Sequence, residues 1–458
     1  MRRSPGALVV GVLCTLTLAS CGGKNSTASK SSAPPAASTA GSSSAGPSGA
    51  AGSGASGSTS SDAAASSQVP SGGTGPDKGI TATIKIWHYF QASARTTEVL
   101  DGWSGEFKKS YPNVKVDWVY VAYDQMTNKL LLSGQQGNGP DGVLYDPANA
   151  AALATAKAIV DMTPYVSGWS DLPQFPKSVI WNVDGKTYSM QGYVNLLGFY
   201  YNKAILDKAG LQPAKTVAEL ESQMPKIKGA GATALNMPGK PSADGEFGAY
   251  PWFLGDGVDY SGFDSAAAKT VFSRSASWVK QGYVPADVVS WGPTEAFADW
   301  VKGKTAYCQC GNWELGLAKT TAKFPYGVVQ QPAGSAGTHV VGGGEGVSIG
   351  SSAKNPELIA EFFKSTVLSK DGELMNFKVL GGLPTRADAA SDPLISGEPL
   401  IKPFADAVAT TGSRPASAKI GQAMVAMGAA WSSALSGQSS PDSAATSLAA
   451  KIKSTLSQ

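Results

Sequence analysis

Between Ile84 and Tyr120 the spacing of the apolar residues changes from two to about 3.6 and back to two. Ile84, Ile86 and His88 alternate with Lys85 and Trp87, which predicts a short strand. Val99, Leu100, Trp103, Phe107 and Tyr111 then recur at helical spacing until Pro112 stops the helix, and Val114, Val116, Trp118 and Tyr120 alternate again. This is a β-α-β unit, whose right-handed crossover joins parallel strands. The pattern continues with a helix from Tyr123 to Ser133, a buried strand from Gly142 to Tyr145 and a helix from Asn149 to Ala158. The predicted class is α/β with mostly parallel sheets.

After Gly192 the pattern restarts. Leu196 to Tyr201 is an apolar run, Lys203 to Gly210 reads as a helix closed by glycine, and Thr216 with Glu219 three residues on is the signature of a capped helix start. The C-terminal third is largely helical: Asn355 to Leu368, Ile401 to Thr411, Ser417 to Leu435 and Pro441 to Leu456. No sequence repeat is present.

The N-terminal part is built differently. Residues 22–79 are dominated by Ser, Gly, Ala, Thr and Pro, with Val69 the only sizeable aliphatic and no aromatic, so they cannot bury a core. In front of them, Arg2 and Arg3 precede the apolar run Ala7 to Leu18, which reads as an export signal over residues 1–20. Leu18-Ala19-Ser20-Cys21 resembles a bacterial lipobox, in which the cysteine receives a diacylglyceryl thioether; Cys21 is then the first mature residue and residues 21–79 a lipid-anchored, disordered tether. A flexible chain of this length spans on the order of 40 Å, enough to lift a folded body clear of the headgroups. Export with an incidental cysteine is the plainer alternative.

The formal charge of +3 belongs to these leading residues: Arg2 and Arg3 supply two charges, and Lys24, Lys30 and Lys78 less Asp62 and Asp77 the third. The body is neutral, which removes the basic stripe a nucleic-acid partner requires. No segment of the body offers about 20 uninterrupted apolar residues for a membrane span.

Motifs for chemistry are weak. Gly52-x-Gly54-x-x-Gly57 lies in the tether without strand or helix around it. Gly346-x-Ser348-x-Gly350 matches a nucleophile elbow, but His88 and His339, the only histidines, both precede it, whereas that fold places its catalytic histidine after the serine. Two histidines argue against a catalytic zinc, and no phosphate-binding Gly-x-x-x-x-Gly-Lys-Ser/Thr occurs. No cofactor is expected. Cys308 and Cys310 are compatible with a mutual disulfide or with two free buried thiols.

Aromatic residues beside turn-formers stand out: Trp87-His88-Tyr89-Phe90, Tyr250-Pro251-Trp252-Phe253, Trp291-Gly292-Pro293 and Gly311-Asn312-Trp313-Glu314. Planar rings on loops suit the apolar face of a pyranose, while carboxylates and amides take its hydroxyls. Any single Trp here is as readily core. Trp103, Trp278, Trp300 and Trp431 sit in helical patterns and are assigned to the core.

Several short segments, in this order, are similar to the sugar-binding branch of the extracellular solute-binding proteins of ABC importers. They are Pro140-Asp141, Asp184-Gly185-Lys186-Thr187-Tyr188, Phe199-Tyr200-Tyr201-Asn202-Lys203 before Ala209-Gly210-Leu211, and Phe297 leading into Gly303-Lys304. Gly311-Asn312-Trp313, Gly342-Gly343-Gly344, Lys354-Asn355-Pro356-Glu357 and Leu383-Pro384-Thr385-Arg386 follow. The sequence departs from the family at Asn312, where proline is usual, and at Glu345, where a small residue is commoner.

The resemblance implies two α/β lobes around a ligand cleft: residues 80–193 and 338–384 in the first, 196–335 and 387–456 in the second. The chain would cross near Asn195, near His339 and at Leu383 to Arg386. Trp313 corresponds to the family's stacking tryptophan, and the other implied binding residues are Gly344, Glu345, Trp87, His88, Tyr89, Asp146, Glu246, Tyr250, Trp252, Glu314, Asn195 and Arg386. The implied partners are a small-molecule sugar and separate permease and ATPase chains, with the membrane touched through the lipid alone and the protein itself a monomer that is not an enzyme. Two alternatives stay open: an anchored carbohydrate-active hydrolase drawing on Asp146, Glu246, Glu314 and Glu345, and a sugar sensor or adhesin of the same fold.

Overall fold

The computed structural model describes residues 75–457; the expectations for the export signal, Cys21 and nearly all of the tether lie outside the described residues. The first β-α-β unit forms as its periodicity demands. In β1 (Ala82–His88) Ile84, Ile86 and His88 are buried while Lys85 and Trp87 are more exposed. The helix Ala94–Ser110 begins where Ser93 Oγ accepts from the Thr96 amide at 3.0 Å and buries Val99, Leu100, Trp103 and Phe107 on one face. β2 (Val114–Tyr120) and β3 (Gly142–Tyr145) then lie parallel to β1 on either side.

β4 (Ile180–Val183) and β5 (Lys186–Gln191) form a hairpin. Its turn residues Asp184 and Gly185 have φ of 50° and 76°, the left-handed pair that a two-residue hairpin turn demands. β6 (Tyr193–Val194) leads through Asn195 into β7 (Leu197–Asn202), and a second sheet is completed by β8 (Thr233–Asn236), β9 (Thr305–Gly311) and β10 (Tyr326–Val329). β11 (Val340–Val341) precedes β12 (Gly346–Ile349), which returns to the first sheet between β3 and β5. β13 (Leu383–Pro384) pairs with β6, and β14 (Thr411–Gly412) with β11. The two large sheets have the orders β2-β1-β3-β12-β5-β4 and β10-β7-β9-β8.

The sheets are therefore mixed rather than mostly parallel. β12 runs antiparallel to both neighbours, and so does β7. The reason is connectivity: β12 enters from the other lobe and β4–β5 is a hairpin, so neither is fed by a helical crossover.

Each sheet has its own core. Ile86, Trp103, Phe107, Leu144 and Ile349 pack with Phe362 and Phe363 in the first lobe. Phe199, Leu235 and Tyr307 pack with Trp252, Trp278 and Trp431 in the second, where the helices Ile420–Leu435 and Pro441–Leu456 cover them. Trp103, Trp278, Trp300 and Trp431 are all buried, as their helical spacing predicts. Among the described residues no helix is long and apolar enough to cross a membrane.

Three segments pass between the sheets and are bonded to one another. Asn195 exchanges both backbone hydrogen bonds with Gly343 (3.1 and 2.9 Å), and β6 pairs with β13. The second crossing lies at Gly342–Gly344, just past His339; Val340 and Val341 before it pair with β14 and pack in the cores built on the second sheet. The imidazole of His339 rests beside the Ala336 carbonyl.

Candidate functional site

Between the lobes lies a cavity of about 440 Å³. The first lobe contributes Tyr89, Tyr123 and Asp146, the second Phe247, Trp313 and Glu314, and the crossing segments Tyr193, Asn195 and Glu345.

Trp313 is carried by the turn Asn312–Glu314 that follows β9, and its ring lies over Gly311, where a Cβ would come within 2.2 Å of it. Glycine is thus required by the close approach. The half-buried indole is inclined at 32° to the Phe247 ring, 6.2 Å away, so two aromatic faces form one wall. Asn312 takes the place of proline and ties the crossings together: its Oδ1 accepts from the Leu196 amide at 2.7 Å, and its Nδ2 donates to the Gly381 carbonyl at 2.6 Å and to Asn195 Oδ1 at 3.2 Å. A proline could make none of these bonds.

On the opposite wall Asp146 accepts from the Tyr123 hydroxyl at 3.0 Å and from the Ala148 amide at 3.0 Å. Tyr123 meets Tyr89 edge to face at 5.1 Å. At the hinge, Glu345 accepts from Asn195 Nδ2 at 3.2 Å, and burial pushes its carboxyl up to about 8, offset in part by the phenols of Tyr89 and Tyr193. Burial likewise pushes Glu314 up to about 8, offset by Thr294 and Trp313. Gly344 lines the same floor.

Six of the residues named from sequence stand elsewhere. Trp87 packs among Val121, Met126 and Val143 behind the sheet. His88 is buried against Phe90 and Trp118, and burial lowers its imidazole to about 4. Strand alternation explains both, since the chain reaches the cavity only at Tyr89. Tyr250 and Trp252 belong to a helix, Ala243–Gly255, rather than a loop, because Pro251 is accommodated inside it; both rings are buried in the second core. Glu246, on the same helix, is fully buried and held by Arg414 (2.7 and 2.9 Å) and the Tyr260 hydroxyl (2.9 Å). Arg386 is held by Asp388 and Asp171 at 2.9 Å and stacks over Trp169 and Phe175 in the first lobe.

The structure brings in residues that sequence reasoning missed. Phe247, Asp244 and Lys240 come from around the helix read as a loop, and Asn376 from a helix in the C-terminal third. The glutamate of Trp291-Gly292-Pro293-Thr294-Glu295 could have been found, since it accepts from the Gly292 amide at 2.9 Å as a helix-start motif predicts.

At the mouth the lobes touch. Arg95 of the first donates to the Gly316 carbonyl of the second at 2.8 Å, and Lys240 lies 3.7 Å from Asp124 and 3.6 Å from Asp244. Away from the cavity, Cys308 and Cys310 are disulfide-bonded on β9, with Cα atoms 5.5 Å apart. Ser348 sits mid-strand in β12 and donates to the Tyr188 carbonyl at 2.7 Å, an arrangement unlike a nucleophile elbow.

Residues 103–403 match the model of the bacterial extracellular solute-binding protein family. The chain belongs to that family. An uncharacterized ABC transporter extracellular-binding protein of Pyrococcus horikoshii is 26% identical over 344 residues, 70% of this chain and 75% of that protein. Among solved structures, the GacH receptor of Streptomyces glaucescens, determined unliganded and with acarbose, is 26% identical and covers 83% of this chain and 99% of its own, with a TM-score of 0.74. A solute-binding protein of Thermotoga lettingae bound with α-D-tagatose is 21% identical, covers 82% of this chain and 100% of its own, and has a TM-score of 0.75. The family's two-lobed architecture is the one found here.

Proposed function

We propose that the protein is the substrate-binding component of an ABC importer and captures a neutral sugar between its lobes. The observation that carries this reading is the pairing, in one cavity, of the Trp313–Phe247 wall with carboxyls and amides on the facing wall and floor. Such a site offers a stacking surface to a pyranose face and hydrogen-bond partners to its hydroxyls. The volume of 440 Å³ equals about fifteen waters at roughly 30 Å³ each, room for a sugar of one to two rings. The solved relatives bound to acarbose, tagatose and maltose support the ligand class.

The charge balance supports neutrality of the ligand. Burial keeps Glu314 and Glu345 protonated near neutral pH, but Asp124, Asp146, Asp244 and Glu295 still line the cavity against the cations Lys240 and Arg95. Lys240 faces Asp124 and Asp244, and Arg95 is spent on the carbonyls of Gly316 and Val379. An acidic or phosphorylated sugar would meet uncompensated like charge.

Sugar bound to both walls would favour the closed form by its contacts with each, and that form would be read by separate permease and ATPase chains. In this reading Cys21 carries the lipid and holds the protein at the outer face of the bacterial cytoplasmic membrane, with residues 22–79 as the tether. The hydrolase alternative loses one of its acids, since Glu246 is sealed by Arg414 outside the cavity.

The test is a thermal-shift panel of neutral mono-, di- and trisaccharides, uronic acids, amino acids and peptides. Ligand at a hundred times its Kd adds about 2.7 kcal/mol of stability. Stabilisation by a neutral sugar alone, without hydrolysis products, is expected. Stabilisation by an amino acid or peptide alone would sink the sugar reading.

A further inference from the structure

Among the described residues a few buried polar side-chain atoms lack a partner, and one group of them lines the cavity. Asn376 Oδ1, Asn376 Nδ2 and the Tyr193 hydroxyl make no hydrogen bond of good geometry, the phenol only standing close to Asn376 and Glu345, and both residues line the cavity. Asn376 is 0% exposed and Tyr193 2%. They come from different elements, the helix Lys370–Leu380 and strand β6. Gly382 completes the arrangement: a Cβ there would lie 2.1 Å from Asn376 Oδ1 and 2.8 Å from the Tyr193 ring. Any other residue would push the amide out of place. Glu345 lies beside the Tyr193 phenol.

Leaving a buried amide and a buried phenol unpaired destabilises a folded chain. A primary amide offers two donors and an acceptor in one plane, and a phenol adds either role. The group that satisfies both is one that donates and accepts at neighbouring atoms, as adjacent hydroxyls of a sugar ring do.

We infer that Asn376 and Tyr193 form a deep polar subsite that binds two adjacent hydroxyl groups of the sugar, with Asn376 the residue that determines which hydroxyl pattern is accepted. This rests on the sugar reading above. It assigns the orphaned atoms to the ligand rather than to the fold, so their removal has opposite effects on the empty and the loaded protein.

The experiment compares the full chain with Asn376→Leu, close in volume and without polar atoms, by thermal unfolding and by titration with glucose, maltose, maltotriose, mannotriose and tagatose. The best binder of the wild type becomes the probe, together with its monodeoxy analogues. For Asn376→Leu the expected results are a melting temperature of the empty protein raised by a few degrees and a probe affinity weakened on the order of 10- to 100-fold. One or two deoxy analogues should bind the wild type weakly and the variant no worse than the parent sugar does. A wild-type-like affinity in the variant overturns the inference while leaving the sugar reading intact, as does a drop in melting temperature with unchanged affinity. A wild type that binds none of the sugars overturns both. Should Asn376→Leu fail to fold, Tyr193→Phe carries the same comparison with the same outcomes.

Discussion

Glu246 and Glu345 are both buried glutamates close to the Gly342–Gly344 crossing, and their surroundings are opposite. Glu246 is enclosed by the Arg414 guanidinium and the Tyr260 hydroxyl, and Arg414 goes on to donate to the Gly342 carbonyl at 3.1 Å. That cluster is saturated and anchors the helix Ala243–Gly255 to the hinge. Glu345 has Asn195 as its amide donor and no cation, faces the cavity, and is pushed up to about 8 by burial. Buried carboxyls sort accordingly: one neutralised by a cation away from the cavity serves the fold, and one held only by neutral donors at the cavity wall can serve whatever enters it.

Breaking the saturated cluster is expected to have the largest effect. Glu246→Ala leaves the buried Arg414 uncompensated and should cost about 3–5 kcal/mol of stability, read from chemical denaturation, with sugar affinity of the folded fraction retained. Weakened binding at unchanged stability would reverse the contrast. Trp313→Ala should do the converse, weakening sugar binding on the order of 10- to 100-fold while the empty protein melts nearly as before, since the indole is half-buried.

Smaller effects sharpen the comparison through pH. Neutral Glu345 retains a proton that the unfolded chain loses above about 4.5, so its contribution makes the empty protein less stable as pH rises from 4.5 toward 8. Glu345→Gln should flatten that fall, measured as melting temperature against pH. His88 acts with the opposite sign: burial holds it near 4 against an ordinary 6.5, so stability is present above 6.5 and lost as pH drops toward 4. His88→Phe should remove that acid-side loss without altering sugar affinity. The smallest effect is expected at the mouth, where Asp124→Asn breaks a half-exposed ion pair with Lys240. Stability should shift by less than about 1 kcal/mol, and a larger change would make the mouth a true latch.

Much of this architecture is legible in the chain because local periodicity carries it. The first β-α-β unit, the restart after Gly192 and the buried helical tryptophans follow from spacing alone. Sheet direction is not legible, because β12 is placed by a crossing from the other lobe and has no local signal of its orientation. The aromatic clusters divide for the same reason. Gly311-Asn312-Trp313 ends a strand and opens into the cavity, while Tyr250-Pro251-Trp252-Phe253 looks like a loop only if its proline is taken as a breaker; tertiary burial overrides that preference. Asn376 is invisible in sequence, since a single asparagine inside a helix carries no local signal of a role. Its meaning appears only with Tyr193 and Gly382 around it.

The proposed sugar site is the cavity between the lobes, with Glu345 in its floor and Trp313 in its wall. Calorimetric titration of the purified chain with its best-binding neutral sugar, beside Trp313→Ala and Glu246→Gln, tests it most directly. One site per chain is expected, with a negative heat-capacity change, an affinity lost in Trp313→Ala, and an affinity kept in whatever Glu246→Gln folds. Sugar binding that survives Trp313→Ala unchanged, or an absence of sugar binding alongside heat from an amino acid or peptide, would contradict it.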